Sequence, residues 1–341
     1  MEIFEDVRNV AQRAATGELP GEGRVIDVVE TAHHRYAELN EGAVADYIPA
    51  LANADPSRFG LALAGVNGRT FTAGDVDHAF SIQSISKAFV FALVLEHVGH
   101  EVVSDLIGVD NTGMPFNSVV AVEMNRGSPM NPMVNAGAIA TTALMPGRDG
   151  AEKWQAIEAG LSAFAGRALT VDEDVFASES AHNERNKAIA HLLGSYGRLA
   201  GDAEDIVDAY TRQCSLLVSA VDLAVMGATL ADGGTNPMTG EKVVSAHVCR
   251  DTLAVLASCG LYERSGRWLF EIGLPAKSGV SGGIVSISPG KGAVGAYSPL
   301  LDPAGNSVRG QRACAYMSRA LGMNLFASSV HEDVENAGLH R

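Results

Sequence analysis

Cysteine is scarce in this sequence and unpaired in its spacing. Cys214, Cys249, Cys259 and Cys314 are the four present, and no C-x-x-C occurs. That spacing excludes a disulfide framework or a zinc site built on paired cysteines, and it predicts reduced, mostly buried thiols. The ten histidines show no metal-ligand spacing either. The adjacent His33 and His34 point to different sides of a helix and read as structural or surface residues. No uninterrupted apolar run approaches the ~18 residues of a spanning helix, so no membrane segment is expected. Met1-Glu2-Ile3-Phe4-Glu5-Asp6 is acidic and lacks the basic and apolar regions of a signal peptide. Taken together these features predict a cytoplasmic location. Positive charge is also in short supply: 25 Lys and Arg stand against 40 Asp and Glu, a net charge of −15. No basic run exceeds a couple of residues, which argues against nucleic acid and anionic membrane as partners. Internal repeats and low-complexity segments are absent.

What is present suits a large core. Hydrophobic residues make up 47% of 341 positions, enough for one large or two moderate domains. Residues 1–16 read as a short charged helix followed by the linker Gly17-Glu18-Leu19-Pro20-Gly21-Glu22-Gly23. Apolar periodicity predicts a helix over 24–39. Residues 59–66 and 69–72 flank Asn67-Gly68, a strong hairpin signal that suits the tight primed turn. A short strand at 79–82 follows. Helical patterns then run for about 170 residues, with candidate helices at 84–98, 133–145, 151–165, 179–194, 202–213, 218–231 and 245–258. Strand signals return at 282–287 and 292–297, and a last helical stretch lies within 311–321. Strands, a long helical block and strands again predict one sheet fed from both ends of the chain, with a helical insertion between.

The chain is organised around residues 79–91, where a strand-like run passes into an apolar helix that carries Ser84 and Lys87. A serine and a lysine at i and i+3 share a helix face, so a neutral lysine amine can take the serine proton. In the first turn the Ser84 backbone N–H is an unsatisfied donor at the positive end of the helix dipole, able to help hold an oxyanion. Serine is also a preferred helix cap, and both readings of Ser84 stand at this level. Spacing alone is weak, because Ser288-Pro289-Gly290-Lys291 repeats it where Pro and Gly block a helix.

Other stretches supply what a Ser-Lys site would need. Lys277-Ser278-Gly279-Val280-Ser281-Gly282-Gly283 opens a late strand with small residues and a backbone N–H for a second oxyanion donor, or is simply a Gly-rich bulge. Glu179, Asn183 and Asn186 fall on one face of the 179–194 helix, with Glu179 and Asn186 ~10 Å apart along its axis, a span fit to grip one small polar ligand. Asn135 is a polar amide among small and apolar residues and needs a partner, backbone or ligand. Tyr47, Tyr210 and Tyr262 are candidate proton donors or relays. For Lys87 to act as a base, burial or a neighbouring cation must depress its pKa, and Lys277 is a candidate for that neighbour.

Together these stretches resemble the serine-dependent bacterial-type glutaminases. Val44-Ala45-Asp46-Tyr47-Ile48-Pro49, the run from Phe80 to Lys87, Asn131 to Gly137, Glu179 to Asn186, Tyr210, Tyr262, Lys277-Ser278-Gly279, Pro289-Gly290-Lys291 and Asn306 to Gly310 stand in that family's order and near its spacings. The resemblance covers about residues 24–324. It implies an α+β, serine β-lactamase/transpeptidase-like fold: an antiparallel sheet flanked by helices, with an inserted all-helical domain. On that basis residues 24–83 and 260–324 would form the sandwich and 84–259 the helical domain, with 1–23 and 325–341 as extensions. The implied activity is hydrolysis of L-glutamine to L-glutamate and ammonia without metal or organic cofactor. Ser84 would be the nucleophile, Lys87 its base and Tyr262 a proton relay, with the Ser84 and Val280 N–H groups as the oxyanion hole. Tyr47, Asn135, Glu179, Asn186 and Tyr210 would surround the substrate's amino-acid end. A homodimer or homotetramer is also implied. Two alternatives remain open at this level, a β-lactam or peptidoglycan amide hydrolase and a non-catalytic glutamine sensor. Against the first, the strand reads Lys-Ser-Gly rather than Lys-Thr-Gly, and no Ser-Asp-Asn occurs.

Overall fold

The computed structural model of the protein describes residues 9–10, 17–46 and 48–328. In chain order these form α1 (Glu22–Tyr36), β1 (Gly60–Gly65), β2 (Thr70–Gly74), β3 (Phe80–Ser81), α2 (Ser86–Val98), α3 (His100–Leu106), α4 (Val119–Met124) and α5 (Asn135–Ala143). Then come α6 (Gly150–Ala165), α7 (Glu173–Ser180), α8 (Glu184–Ser195), α9 (Ala203–Cys214), β4 (Leu217–Val218), α10 (Ala220–Ala231) and α11 (Ala246–Cys259). The chain closes with α12 (Ser265–Glu271), β5 (Ala276–Ser278), β6 (Gly283–Ser288), β7 (Gly292–Tyr297) and α13 (Val308–Ala320). Three 3-10 turns, Leu51–Asn53, Gln83–Ile85 and Tyr262–Arg264, complete the set.

The strand sequence Gly-Leu-Ala-Leu-Ala-Gly of β1 is buried at every position, because both faces of its sheet are covered. Leu61 and Leu63 point to a core shared with Val25 and Val29 of α1 and Met317 of α13. Ala62 and Ala64 point to the other core, which holds Leu223 and Ala224 of α10 and most of the helical block. The sheet order is β2-β1-β7-β6-β5, with every pairing antiparallel. β1 pairs β7 from Gly60↔Tyr297 to Gly65↔Gly292, which joins the two ends of the chain as expected. All four cysteines are free and buried. Among the described residues no helix is long and apolar enough to cross a membrane.

Glycine sets how closely α10 approaches the sheet. A Cβ at Gly295 of β7 would lie 2.1 Å from the Ala220 carbonyl oxygen, and one at Gly227 would lie 2.6 Å from the Ala293 Cβ. On the opposite face Arg309 of α13, 1% exposed, donates to the carbonyls of Leu39 and Pro56 at 2.7 and 2.9 Å, and so ties the segment before β1 to the last helix.

Three expectations are corrected. The Asn67-Gly68 hairpin closes with a three-residue loop: Gly65 N–H bonds Arg69 O at 2.9 Å, and Gly68 alone in the loop has positive φ. That is the bulged alternative to the two-residue primed turn, which would need Asn67 in the left-handed region. The 79–82 strand does not join the main sheet; β3 pairs with β4 in a separate ribbon. The 179–194 helix is two helices, α7 and α8, broken at 181–183. Ser288 and Lys291 of the second Ser-x-x-Lys lie about a β-turn, on the carbonyls of Met323 and Gly322, rather than on a helix face.

Replacing Gly295 with Ala should wedge α10 from the sheet and destabilise the protein by roughly 1–3 kcal/mol. Gly113→Ala, at a position where an added Cβ meets nothing within 4 Å, is the control and should be neutral. Thermal unfolding of the two variants measures the difference, and equal melting temperatures would refute the close-approach reading.

Candidate active site

The site begins where the β3–β4 ribbon ends. Ile82 N–H still bonds Leu216 O at 2.8 Å, and the chain then turns sharply at Gln83, whose φ is 52°. A left-handed φ on a non-glycine residue costs on the order of 1–3 kcal/mol and persists only where neighbours over-determine it. Here they do. The Gln83 side-chain amide donates to Glu179 Oε1 at 2.6 Å and to Ser81 Oγ at 3.2 Å. The Gln83 backbone carbonyl accepts from Ser86 Oγ at 2.8 Å, and Ser86 in turn accepts from Gln213 Nε2 at 3.2 Å. A Cβ on Gly279 would press to 2.9 Å from Ile82 O, so the loop after β5 must be bare at that point. Ser84 follows in the 3-10 turn Gln83–Ile85, half-buried. Neither helix that begins there has a side-chain cap, so Ser84 does not act as one.

Lys87, in the first turn of α2, is 1% exposed. Its Nζ donates to Asn135 Oδ1 at 2.7 Å and to Met133 O at 3.4 Å. Burial strips water from the ammonium and lowers its pKa to about 8, against the opposing pull of Cys214 and Glu179. Asn135 opens α5, and its backbone N–H is tied to Phe116 O at 2.8 Å. Its side chain is spent on three neighbours: Oδ1 accepts from Lys87 and, at 3.5 Å, from the Tyr210 hydroxyl, while Nδ2 donates to Asn186 Oδ1 at 3.0 Å.

Tyr262, like Gln83, has a left-handed φ, 53°. Its hydroxyl donates to Ser278 O at 3.3 Å and shares the cleft with Ser84, and burial raises its pKa to about 12. Lys277 Nζ lies 4.3 Å from the Tyr262 ring centroid and donates to the same Ser278 carbonyl at 3.0 Å. The expected cation effect runs in the other direction. Burial first and the Lys87 charge second depress Lys277, whereas Lys87 owes its shift to burial.

A cleft of about 220 Å³ gathers Ser84, Asn135, Glu179, Asn186, Tyr210, Tyr262 and Val280, and buried Lys87 reaches it through Asn135. Tyr47 lies outside the described residues. Glu179 lies in the last turn of α7, Asn183 occupies the position before α8 and Asn186 sits in the first turn of α8. They converge because the chain bends between two helices, not because they share one face. Burial raises the Glu179 pKa, while the Gln83 hydrogen bond and the Lys87 charge draw it back. The Tyr210 pKa is raised well above its ordinary value, chiefly by burial.

Sequence reasoning missed Gln83, Phe116, Arg185 and Cys214, which also line the cleft. Gln83 adjoins the candidate serine, and that adjacency was its one signal. Phe116, with its ring 5.0 Å from that of Tyr262, lies in a loop that reads only as a connection. Among the described residues no group of three His, Cys, Asp or Glu side chains could hold a metal ion. Chemically, the cleft offers a hydroxyl on a rigid turn, a phenol beside it, an amine that is half neutral near pH 8, a carboxylate for a cation and amides for an anion.

Gln83→Leu should raise the pKa of Glu179, because it deletes a hydrogen bond that favours the carboxylate form. Carbon NMR titration of the carboxyl group reads this directly, and an unmoved or lowered midpoint would refute it.

Comparison with known proteins follows from this geometry. The glutaminase family model matches residues 42–326. "Glutaminase 2" of Yersinia pestis is 51% identical over 319 residues, which cover 94% of each chain. A solved structure described as a probable glutaminase superposes with a TM-score of 0.89 at 44% identity, covering 90% of this chain and 100% of the other. One described as Mglu in its glutamate form gives 0.85 at 41%, over 90% and 71%. The architecture is accordingly the serine β-lactamase-like α+β fold that the resemblance implied, and it agrees with the order of strands and helices along the chain. With matches of this identity along nearly its whole length, the chain belongs to the glutaminase family.

Proposed function

We propose that this chain hydrolyses the side-chain amide of L-glutamine to L-glutamate and ammonia through an ester on Ser84. The observation that carries the reading is the buried Lys87 amine, with a pKa brought down to about 8, one helical turn from Ser84. A neutral amine there takes the Ser84 proton as the hydroxyl attacks the amide carbon. The Ser84 and Val280 N–H groups hold the oxyanion that forms. Tyr262, a neutral phenol in the same cleft as Ser84, relays a proton to the departing nitrogen, so that the C–N bond breaks and ammonia leaves. Water then attacks the ester, giving glutamate and restoring the serine. Glu179 pairs with the substrate ammonium, and Asn135, Asn186, Tyr210 and Tyr47 surround the carboxylate end.

The relatives described as glutaminases and the solved structure described in its glutamate form support this substrate class. We propose also that the protein is a cytoplasmic homodimer or homotetramer. In the same reading 24–83 with 260–324 is the sandwich domain and 84–259 the helical domain, with 1–23 and 325–341 as extensions.

Coupled detection of ammonia from L-glutamine, with D-glutamine as control, tests the reaction. Ser84→Ala should lower the rate by about 10⁴-fold or more; a rate equal to wild type would remove Ser84 as nucleophile. The sign of the pH dependence follows from Lys87. The amine gains its neutral form as pH rises, so kcat/KM should climb through about pH 8 and level off above it. Lys87→Met should abolish both the activity and that limb, and a variant that keeps the limb would exclude Lys87 as the base.

A further inference from the structure

Glu179, Asn183 and Asn186 all line the cleft, and Asn183 alone of the three has no part in the reaction proposed above. It is 9% exposed. Its side-chain amide makes no hydrogen bond among the described residues, and neither polar atom is among the unpartnered ones closed to solvent. The opening those atoms have is the cleft that the residue lines. Asparagine is one of the best residues for capping a helix, yet this side chain does not fold back over α8. A buried amide left free beside a cavity is placed to meet what enters it.

The turn that Asn183 opens is unspent as well. The first hydrogen bond of α8 runs from Lys187 N–H to Asn183 O at 3.0 Å. The N–H groups of Glu184, Arg185 and Asn186 therefore have no partner among the described residues, and they form the positive end of a 12-residue helix. Asn186, three residues beyond Asn183 and so on the same side of α8, accepts from Asn135 through Oδ1 and keeps its Nδ2 to donate. Arg185 donates from Nε to Asn117 O at 2.8 Å and makes no ion pair among the described residues, so its charge is uncompensated. Donors elsewhere in the cleft are committed, Asn135 Nδ2 to Asn186 and the Tyr210 hydroxyl to Asn135. Across the 181–183 break, Glu179 accepts from Gln83 through Oε1, and its Oε2 makes no hydrogen bond among the described residues. The break thus parts a negative group from a positive one.

An α-amino acid carries its ammonium and its carboxylate on one carbon, and it can straddle that break. We propose that Asn183 is a specificity-determining residue, which receives the substrate α-carboxylate together with Asn186 Nδ2 and the open N-terminus of α8. This deepens the glutamine reading and rests on it. It also gives the break a purpose, because a continuous helix over 179–194 would spend the N–H groups of 184–186 in its own ladder. The consequence is selection for a free carboxylate: glutamine inside a peptide chain lacks the anion that this turn is built to hold.

The test sets a charge on the residue against a charge on the ligand. In the full chain as Ser84→Ala, which removes the attacking hydroxyl, calorimetry compares L-glutamine with L-glutaminamide, whose α-carboxylate is replaced by a neutral amide. L-glutamine should bind about tenfold more tightly than glutaminamide. Adding Asn183→Asp should weaken L-glutamine by about tenfold or more and leave glutaminamide within about threefold, or tighter. Aspartate caps a helix as well as asparagine does and suits the positive end of α8, so the melting temperature should not fall. In a chain that keeps Ser84, Asn183→Asp should raise KM for L-glutamine and leave kcat within about threefold. Parallel weakening of both ligands would make Asn183 a structural residue, and no weakening of either would make it a solvated one; both results overturn the proposal. Failure of Ser84→Ala itself to bind L-glutamine would overturn the glutamine reading, and the subsite with it, before Asn183 is touched. Selective weakening of L-glutamine by Asn183→Asp supports the subsite even where the wild type releases no ammonia, a result that would sink hydrolysis alone.

Discussion

An amine without water is the constraint on which the site depends. Among the described residues Lys87 hydrogen-bonds only two oxygens, from Asn135 and Met133, in place of its hydration. A charged ammonium in that setting is penalised by burial, and the penalty moves the neutral form into a usable pH range. Keeping the setting dry requires several elements at once. α2 carries the lysine, α5 supplies Asn135, α9 supplies Tyr210, and the Phe116 loop brings a ring to 5.9 Å from the amine. The helical block therefore serves as more than a lid over the sheet; it removes the solvent that would otherwise keep Lys87 charged.

The second constraint is backbone strain. Gln83 and Tyr262 flank Ser84 in space, and both hold left-handed φ angles that β-carbon sterics disfavour. The network that holds Gln83 runs from Thr142 of α5 through Gln213 and Ser86 to the Gln83 carbonyl, then through its side chain to Glu179. One residue thus fixes the direction of the Ser84 turn and the position of the carboxylate. Pocket polarity and the geometry of Ser84 are set by the same residue, so neither adjusts alone.

How much of this could be read from the residues depended on range. Ser84 and Lys87 lie three positions apart, and one sheet fed from both ends of the chain followed from the placement of the strands; both were legible. Glu179 and Asn186 were rightly grouped but for the wrong reason, because a break at 181–183 replaced the single helix face. Apolar periodicity in a polar stretch of this kind does not register a three-residue interruption. The β3–β4 ribbon was invisible because two-residue strands carry no period. Gln83 escaped because its φ is imposed by Glu179, Ser86 and Gln213, partners that lie up to about 130 positions away in the chain and have no local signature.

Two lysines share this interior, and their charges compete. Lys277 and Lys87 are both fully buried, and each protonated form is disfavoured by lost hydration. Lys87 has compensation from Cys214 and Glu179, and Lys277 has Cys214 but also faces the Lys87 charge. Burial and the Lys87 charge therefore both favour the neutral form of Lys277. A neutral Lys277 still donates to the Ser278 carbonyl, which also receives the Tyr262 hydroxyl. Its contribution is then positional: it anchors the carbonyl that orients the phenol against Ser84, and it does so without adding a second positive charge that would lower the basicity of Lys87.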